Sequence, residues 1–286
     1  MTQSTRITPS FALWNQRQIL SDIRERIESL FDAVNHPTDL LLYQWVQLMS
    51  FALEFRPDFI LELGRGAGNS TCAFTEAANH IPGCKVVSIC YSDDWDKRTG
   101  PNVKKVVPAE WFRPLTINRE NILHLEYFRL LAGKDRILLF WDAHGFDVAE
   151  CILGEILPLM REKEHLVVMH DMSDARYASL EQLDYKGNRL WRGNDWQGPR
   201  LMLGTIDSCV EQAVAILDFT TRNRLSLRSA DYDFHTVLGK EPEKLSELNR
   251  CLGHPFYDDT CQAHWVWITL NEHDGPFFFP RFVPGA

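Results

Sequence analysis

Phe59-Ile60-Leu61-Glu62-Leu63-Gly64-Arg65-Gly66-Ala67-Gly68-Asn69-Ser70 is the stretch on which the fold class turns. A short apolar run passes into an acidic residue, then glycines at every second position, then a helix start. Glycine lets a backbone turn sharply and approach a ligand closely, and a helix amino terminus offers N–H groups that the helix itself does not use. The spacing is G-x-G-x-G. A dinucleotide-binding turn has G-x-G-x-x-G, and its third glycine would fall on Asn69. An ordinary strand-to-helix turn rarely uses three glycines, so the stretch reads as a ligand loop.

Working outward, Lys85 to Tyr91 reads as a second buried strand, Arg136 to Trp141 as a third and His165 to Met169 as a fourth, with a weaker one around Pro114 to Ile117. Ser70 to Ala78 and Val148 to Met160 have helical spacing between them. Strand and helix alternating at these lengths predict a parallel sheet with crossover helices, and continuous apolar strands predict burial on both faces. Residues 1–55 read as a helical amino-terminal extension, with Ile19, Ile23, Ile27 and Leu30 on one helix face and Leu40 to Phe55 forming another helix that Pro57 closes. Leu201 to Leu217 reads as a helix, and Arg224 to Arg228 and Ala263 to Leu270 read as strands. Residues 184–199 combine glycines, asparagines, Trp191 and Trp196, the composition of a lid.

The chain has 286 residues, 30 basic and 39 acidic, for a net charge of -9. That field repels phosphate chains, so nucleic acid is not the expected partner. No apolar run reaches the roughly 18 residues that span a bilayer, and the polar residues 1–10 do not read as a secretory signal. Seven scattered cysteines without a C-x-x-C pair argue against disulfides and structural zinc. The expectation is a cytoplasmic protein with reduced thiols and no membrane contact. Phe277-Phe278-Phe279 needs cover, from the core or from a second copy of the chain, which makes a homo-oligomer the one macromolecular partner considered.

Three motifs taken in order resemble the class I S-adenosylmethionine-dependent methyltransferases, in the branch of small-molecule O-methyltransferases and cephalosporin-hydroxylase-like proteins. They are the glycine loop, the strand Ile137 to Trp141 ending in Asp142-Ala143-His144, and the strand Leu166 to Met169 ending in His170-Asp171. The resemblance covers roughly residues 55 to 175. It implies a doubly wound, mostly parallel α/β sheet, here residues 56–286, with the Rossmann-like methyltransferase fold and residues 184–199 as a lid insertion. It also implies S-adenosylmethionine held by Glu62, Gly64, Gly66, Gly68, Ser70 and Asp142. The family's second strand usually ends in an acid that binds the cofactor ribose. Cys90 stands there instead, and Asp93 or Asp94 is the expected substitute.

Asp142 and Asp171 end two strands, so their carboxylates are expected to approach each other across the crevice, a donor set suited to magnesium. The resemblance implies the same metal position. His170 is the expected general base beside Asp171, because an imidazole titrates in the useful range; His144 is expected to brace its turn. Trp265 and Trp267 alternate with apolar residues and are expected in the core. The reading is methyl transfer to an oxygen of a small-molecule acceptor. A nucleotide-dependent oxidoreductase and a non-catalytic relative on the same fold are the alternatives; Asn69 counts against the first, and Cys90 keeps the second open.

Overall fold

The computed structural model describes residues 7–37, 39–170, 208–257, 263 and 265–283. Asp171 and the expected lid at 184–199 lie outside them. Seven strands form one sheet: β1 (Phe59–Leu63), β2 (Lys85–Ile89), β3 (Leu115–Asn118), β4 (Arg136–Trp141), β5 (Glu164–His170), β6 (Arg228–Ser229) and β7 (Trp265–Ile268). Their order is β3-β2-β1-β4-β5-β7-β6. The first five are parallel, and β7 runs antiparallel to both β5 and β6.

Every residue of β1 is buried, which is why it carries no polar alternation. Successive side chains still go to opposite faces. Ile60, Val86, Leu138 and Phe140 join one apolar cluster, and Leu61, Val87, Leu139 and Trp141 join the other. The helices are α1 (Pro9–Asp22), α2 (Arg24–Val34), α3 (Leu42–Phe55), α4 (Asn69–Asn79), α5 (Gly100–Val103), α6 (Tyr127–Leu130), α7 (Phe146–Cys151), α8 (Leu157–Met160), α9 (Ser208–Asn223), α10 (Ala230–Thr236) and α11 (Pro242–Cys251). Residues of α1 to α4, α10 and α11 contribute to the first cluster; those of α7 to α9 contribute to the second.

Local chemistry explains the boundaries. Thr8 caps α1 by accepting the Phe11 N–H, with Pro9 in the first turn. Asn35 and Arg56 end α2 and α3 in the left-handed region, at φ 49° and 52°. The extension is no loose appendage, because Phe51 on α3 packs against Trp265 with ring centroids 5.3 Å apart. Trp265 and Trp267 are core residues, as expected. The expected strand at Arg224 to Arg228 shrinks to β6, since Arg224 itself turns through φ 54°. Helix 148–160 is interrupted by a π-turn at Ile152–Ile156, where Gly154 lets the Pro280 backbone cross so closely that a Cβ would overlap it. Phe277 and Phe279 pack on the second cluster and Phe278 is exposed.

At the amino end of β5, His165 is buried and fully bonded. Its Nδ1 meets the Lys163 carbonyl at 2.9 Å, and its Nε2 accepts the Leu270 N–H at 3.0 Å. Burial pushes its pKa below the ordinary imidazole value. No helix among the described residues is long and apolar enough to cross a membrane.

Candidate functional site

Leu63 pairs with Ile89 on one side and Trp141 on the other, and Trp141 pairs with Met169. The next residue on each strand therefore falls in one row along the carboxyl edge: Cys90, Gly64, Asp142 and His170. The chain leaves β1 toward β2 and returns to its other side at β4. That reversal opens a crevice at the strand ends, the usual ligand position in an open α/β sheet.

Below the crevice Glu62 is fully buried. Its carboxylate accepts hydrogen bonds from Ser70 Oγ and, at 2.6 Å, from Thr71 Oγ1. Burial raises its pKa, while the hydroxyls and the nearby Arg65 cation pull it back. Both hydroxyls sit in the first turn of α4, so the acid ties β1 to α4 and sets the loop between them. Gly64, Gly66 and Gly68 all have positive φ, 93°, 49° and 97°. A Cβ on Gly64 would overlap the Asp142 carbonyl, and one on Gly68 would stand 2.9 Å from the Trp95 ring. Gly66 differs: it is exposed, and among the described residues a Cβ there would meet only Asp39 Oδ2, at 3.8 Å. Close packing calls for the outer two glycines, and the middle one faces open space.

Sequence reasoning missed three contributors here. Asn69, marked in the sequence only as an absent glycine, is completely buried; its Oδ1 accepts the Trp45 Nε1–H at 3.2 Å, and its Nδ2 donates to the His36 carbonyl and to Asp39 Oδ2, each at 3.0 Å. Arg65 is buried and donates from Nη1 to Ser88 O and Oγ, both at 3.0 Å. A polar residue where a third glycine would stand was the available signal for Asn69. Past β2, Cys90 is a partly exposed free thiol. Asp93 pairs with Lys97 at 2.6 Å and Arg119 at 3.3 Å, and the Lys97 bond above all holds its carboxyl below the usual range. Asp94 accepts from Ser92 Oγ in an exposed turn.

At the other end of the row, His170 Nδ1 lies 3.2 Å from Asp142 Oδ1, with His170 buried and Asp142 partly so. The third contributor, Gln212 on α9, joins the two histidines. Its Nε2 donates to the His170 carbonyl at 3.2 Å, and its Oε1 lies 3.1 Å from His144 Nδ1. A carbonyl only accepts, so the amide nitrogen must face it, and the amide oxygen then requires the proton of His144 on Nδ1. An ionised Asp142 asks the same of His170. In the neutral form of each imidazole, Nε2 is then the nitrogen that carries the lone pair. His144 is partly exposed, and through Gln212 it shares a polar network with His170. Among the described residues no three His, Cys, Asp or Glu side chains gather as a metal site, and Asp171, the expected partner of Asp142, lies outside those residues.

No protein-family model matches the sequence, and no curated protein matches it. Solved structures match in shape. A methyltransferase of Podospora anserina, crystallised bound to SAH, shares 12% identity; 90% of this chain and 86% of that one align, with a TM-score of 0.48. The O-methyltransferase of Streptomyces achromogenes involved in tomaymycin synthesis, in complex with SAM, shares 12%, covering 75% and 80% at a TM-score of 0.43. Coclaurine N-methyltransferase bound to N-methylheliamine and SAH shares 16%, covering 73% and 63% at 0.33. At such identities and TM-scores these likenesses carry no argument by themselves. The strand order, with its antiparallel β7 between β5 and β6, decides the fold. It is that of the class I S-adenosylmethionine-dependent methyltransferases. In this methyltransferase fold the glycine loop, the β2 turn and the β4–β5 ends all open on one crevice. The strand order is common to the whole class and does not single out the cephalosporin-hydroxylase-like branch.

Proposed function

We propose that the chain transfers the methyl group of S-adenosylmethionine to an oxygen of a small molecule. The observation that carries this reading is the built glycine loop: a buried acid pinned to the first turn of α4, under positive-φ glycines, at the switch point of a methyltransferase-type sheet. The exposed backbone at Gly66 fits a ligand that must lie close against the loop. Bound S-adenosylmethionine supplies an electrophilic methyl carbon on a sulfonium. Its amino-acid and ribose parts would lie against the loop of Gly64, Gly66 and Gly68, which Glu62 and Ser70 hold in shape from below. The ribose hydroxyls fall to the turn carrying Asp93 and Asp94, where a contact from Asp93 competes with Lys97 and Arg119.

On the acceptor side, His170 with Asp142 against its Nδ1 is the base pair of this reading. The imidazole would take the hydroxyl proton through Nε2 as the acceptor oxygen is methylated. We route no step through magnesium, since the described carboxylate of the expected metal pair, Asp142, faces His170. The reading is tested by incubating the chain with methyl-labelled S-adenosylmethionine and separate mixtures of hydroxyl-bearing and amine-bearing small molecules. Label should enter the hydroxyl mixture, and the rate should fall about a hundredfold or more in His170→Asn. Label entering only the amines would overturn the oxygen assignment.

A further inference from the structure

Asp39 lies between α2 and α3, outside the glycine loop and outside every motif read from the sequence. The turn holding it is well anchored: Leu40 is completely buried, the Leu41 N–H donates to Gln44 Oε1 at 2.7 Å, and the Asp39 N–H reaches the His36 carbonyl at 3.4 Å. Asn69, fixed from its other side by Trp45, holds the Asp39 carboxylate at 3.0 Å. Among the described residues the same Oδ2 atom is the single neighbour within 4 Å of the space above Gly66. A partly exposed carboxylate from the amino-terminal extension thus borders the loop glycine whose outer face is open. Loop N–H groups and the start of the 11-residue α4 favour the negative part of a ligand. A carboxylate at the rim favours the positive part.

We propose that Asp39 binds the α-ammonium of the cofactor's amino-acid end, with Asn69 as the residue that positions it. The inference rests on the methyltransferase reading and deepens it, because it makes the extension a wall of the cofactor site. The ammonium donates a charge-assisted hydrogen bond to Oδ1 or Oδ2, while the α-carboxylate of the same group faces the loop N–H groups. A dinucleotide has no ammonium to offer here, so Asp39 also discriminates against one.

Three ligands separate the contributions. S-adenosylmethionine carries ammonium and sulfonium, S-adenosylhomocysteine carries ammonium alone, and 5′-methylthioadenosine carries neither. Each is titrated by calorimetry into the wild-type chain and into Asp39→Asn, whose amide oxygen can still accept from Asn69. The expected result is binding of the first two weakened by about tenfold or more, with 5′-methylthioadenosine unchanged, which also shows that the variant is folded. Weakening of S-adenosylmethionine alone would move the carboxylate to the sulfonium and overturn the ammonium assignment. Equal affinities for all three in variant and wild type, or equal loss of all three, would also overturn it while leaving the methyltransferase reading in place. Failure of the wild-type chain to bind any of them would sink both.

Discussion

The two ends of the strand-edge row are assembled over very different distances in the chain. Beside β1, Ser70 and Thr71 reach Glu62 from eight and nine residues away. Beside β5, His170 meets Asp142 across 28 residues and receives Gln212 from 42 away, and Gln212 meets His144 across 68. The first end is one strand-turn-helix unit whose chemistry is written consecutively. The second exists only after α9 has docked on the second face of the sheet. In the proposed reading the glycine loop that would seat the cofactor is a local unit, bordered by Asp39 from the extension, and proton handling would fall to a tertiary network.

Gly64 is where the two ends touch, and it gives the largest expected effect. Gly64→Val places a branched side chain on the Asp142 backbone at a φ of 93°. Overpacking and left-handed strain together should cost about 3 kcal/mol or more, read as a lower urea midpoint. A variant of wild-type stability would mean that the two ends are not in contact.

Next comes the independence of the ends. Gln212→Leu removes both amide bonds while keeping the buried volume similar. Turnover should fall about tenfold or more, yet affinity for S-adenosylhomocysteine should stay within about twofold, near 0.4 kcal/mol. Matching losses in both would show that the network also holds the cofactor.

β5 offers an internal control, since His165 and His170 sit at its opposite ends. His165 is neutral in the fold with a lowered pKa, so the unfolded chain binds a proton that the folded one does not. Stability should be fully present above the ordinary value of 6.5 and decline as pH falls below it. His165→Gln should flatten that acid limb in a series of melting curves without altering cofactor affinity. An unchanged limb would assign the pH dependence to another group.

The smallest expected effect is none at all. Chelator should leave S-adenosylhomocysteine affinity unchanged, because among the described residues no three metal-ligating side chains gather at the glycine-loop end and the expected cation position lies at Asp142 and Asp171. A chelator-sensitive affinity would mean that a cation bridges the ends.

The same contrast explains what could be read without coordinates. β1, β2, β4 and β5 were legible because both-face burial leaves uninterrupted apolar runs, and α4 because it follows the glycines directly. Glu62 and Ser70 were legible as parts of one motif. Asn69 was visible only as a departure from a pattern, because its work is to join α3 and the Asp39 turn to α4. Gln212 was invisible: a glutamine on an amphipathic helix carries no mark of the carbonyl it will meet. Asp93 looked available in the sequence, where nothing pairs it with Lys97 one helical turn on or with Arg119 beyond β3.

The central claim is that the glycine loop binds S-adenosylmethionine, and calorimetric titration with S-adenosylhomocysteine tests it most directly. The wild-type chain should give saturable binding, and Gly66→Val should weaken it about tenfold or more while circular dichroism shows the fold retained. Gly66 suits this test because its outer face is open, so the new side chain obstructs the ligand more than the protein, although its φ of 49° adds some strain. Unchanged binding in the folded variant, or no binding by the wild-type chain, would contradict the account.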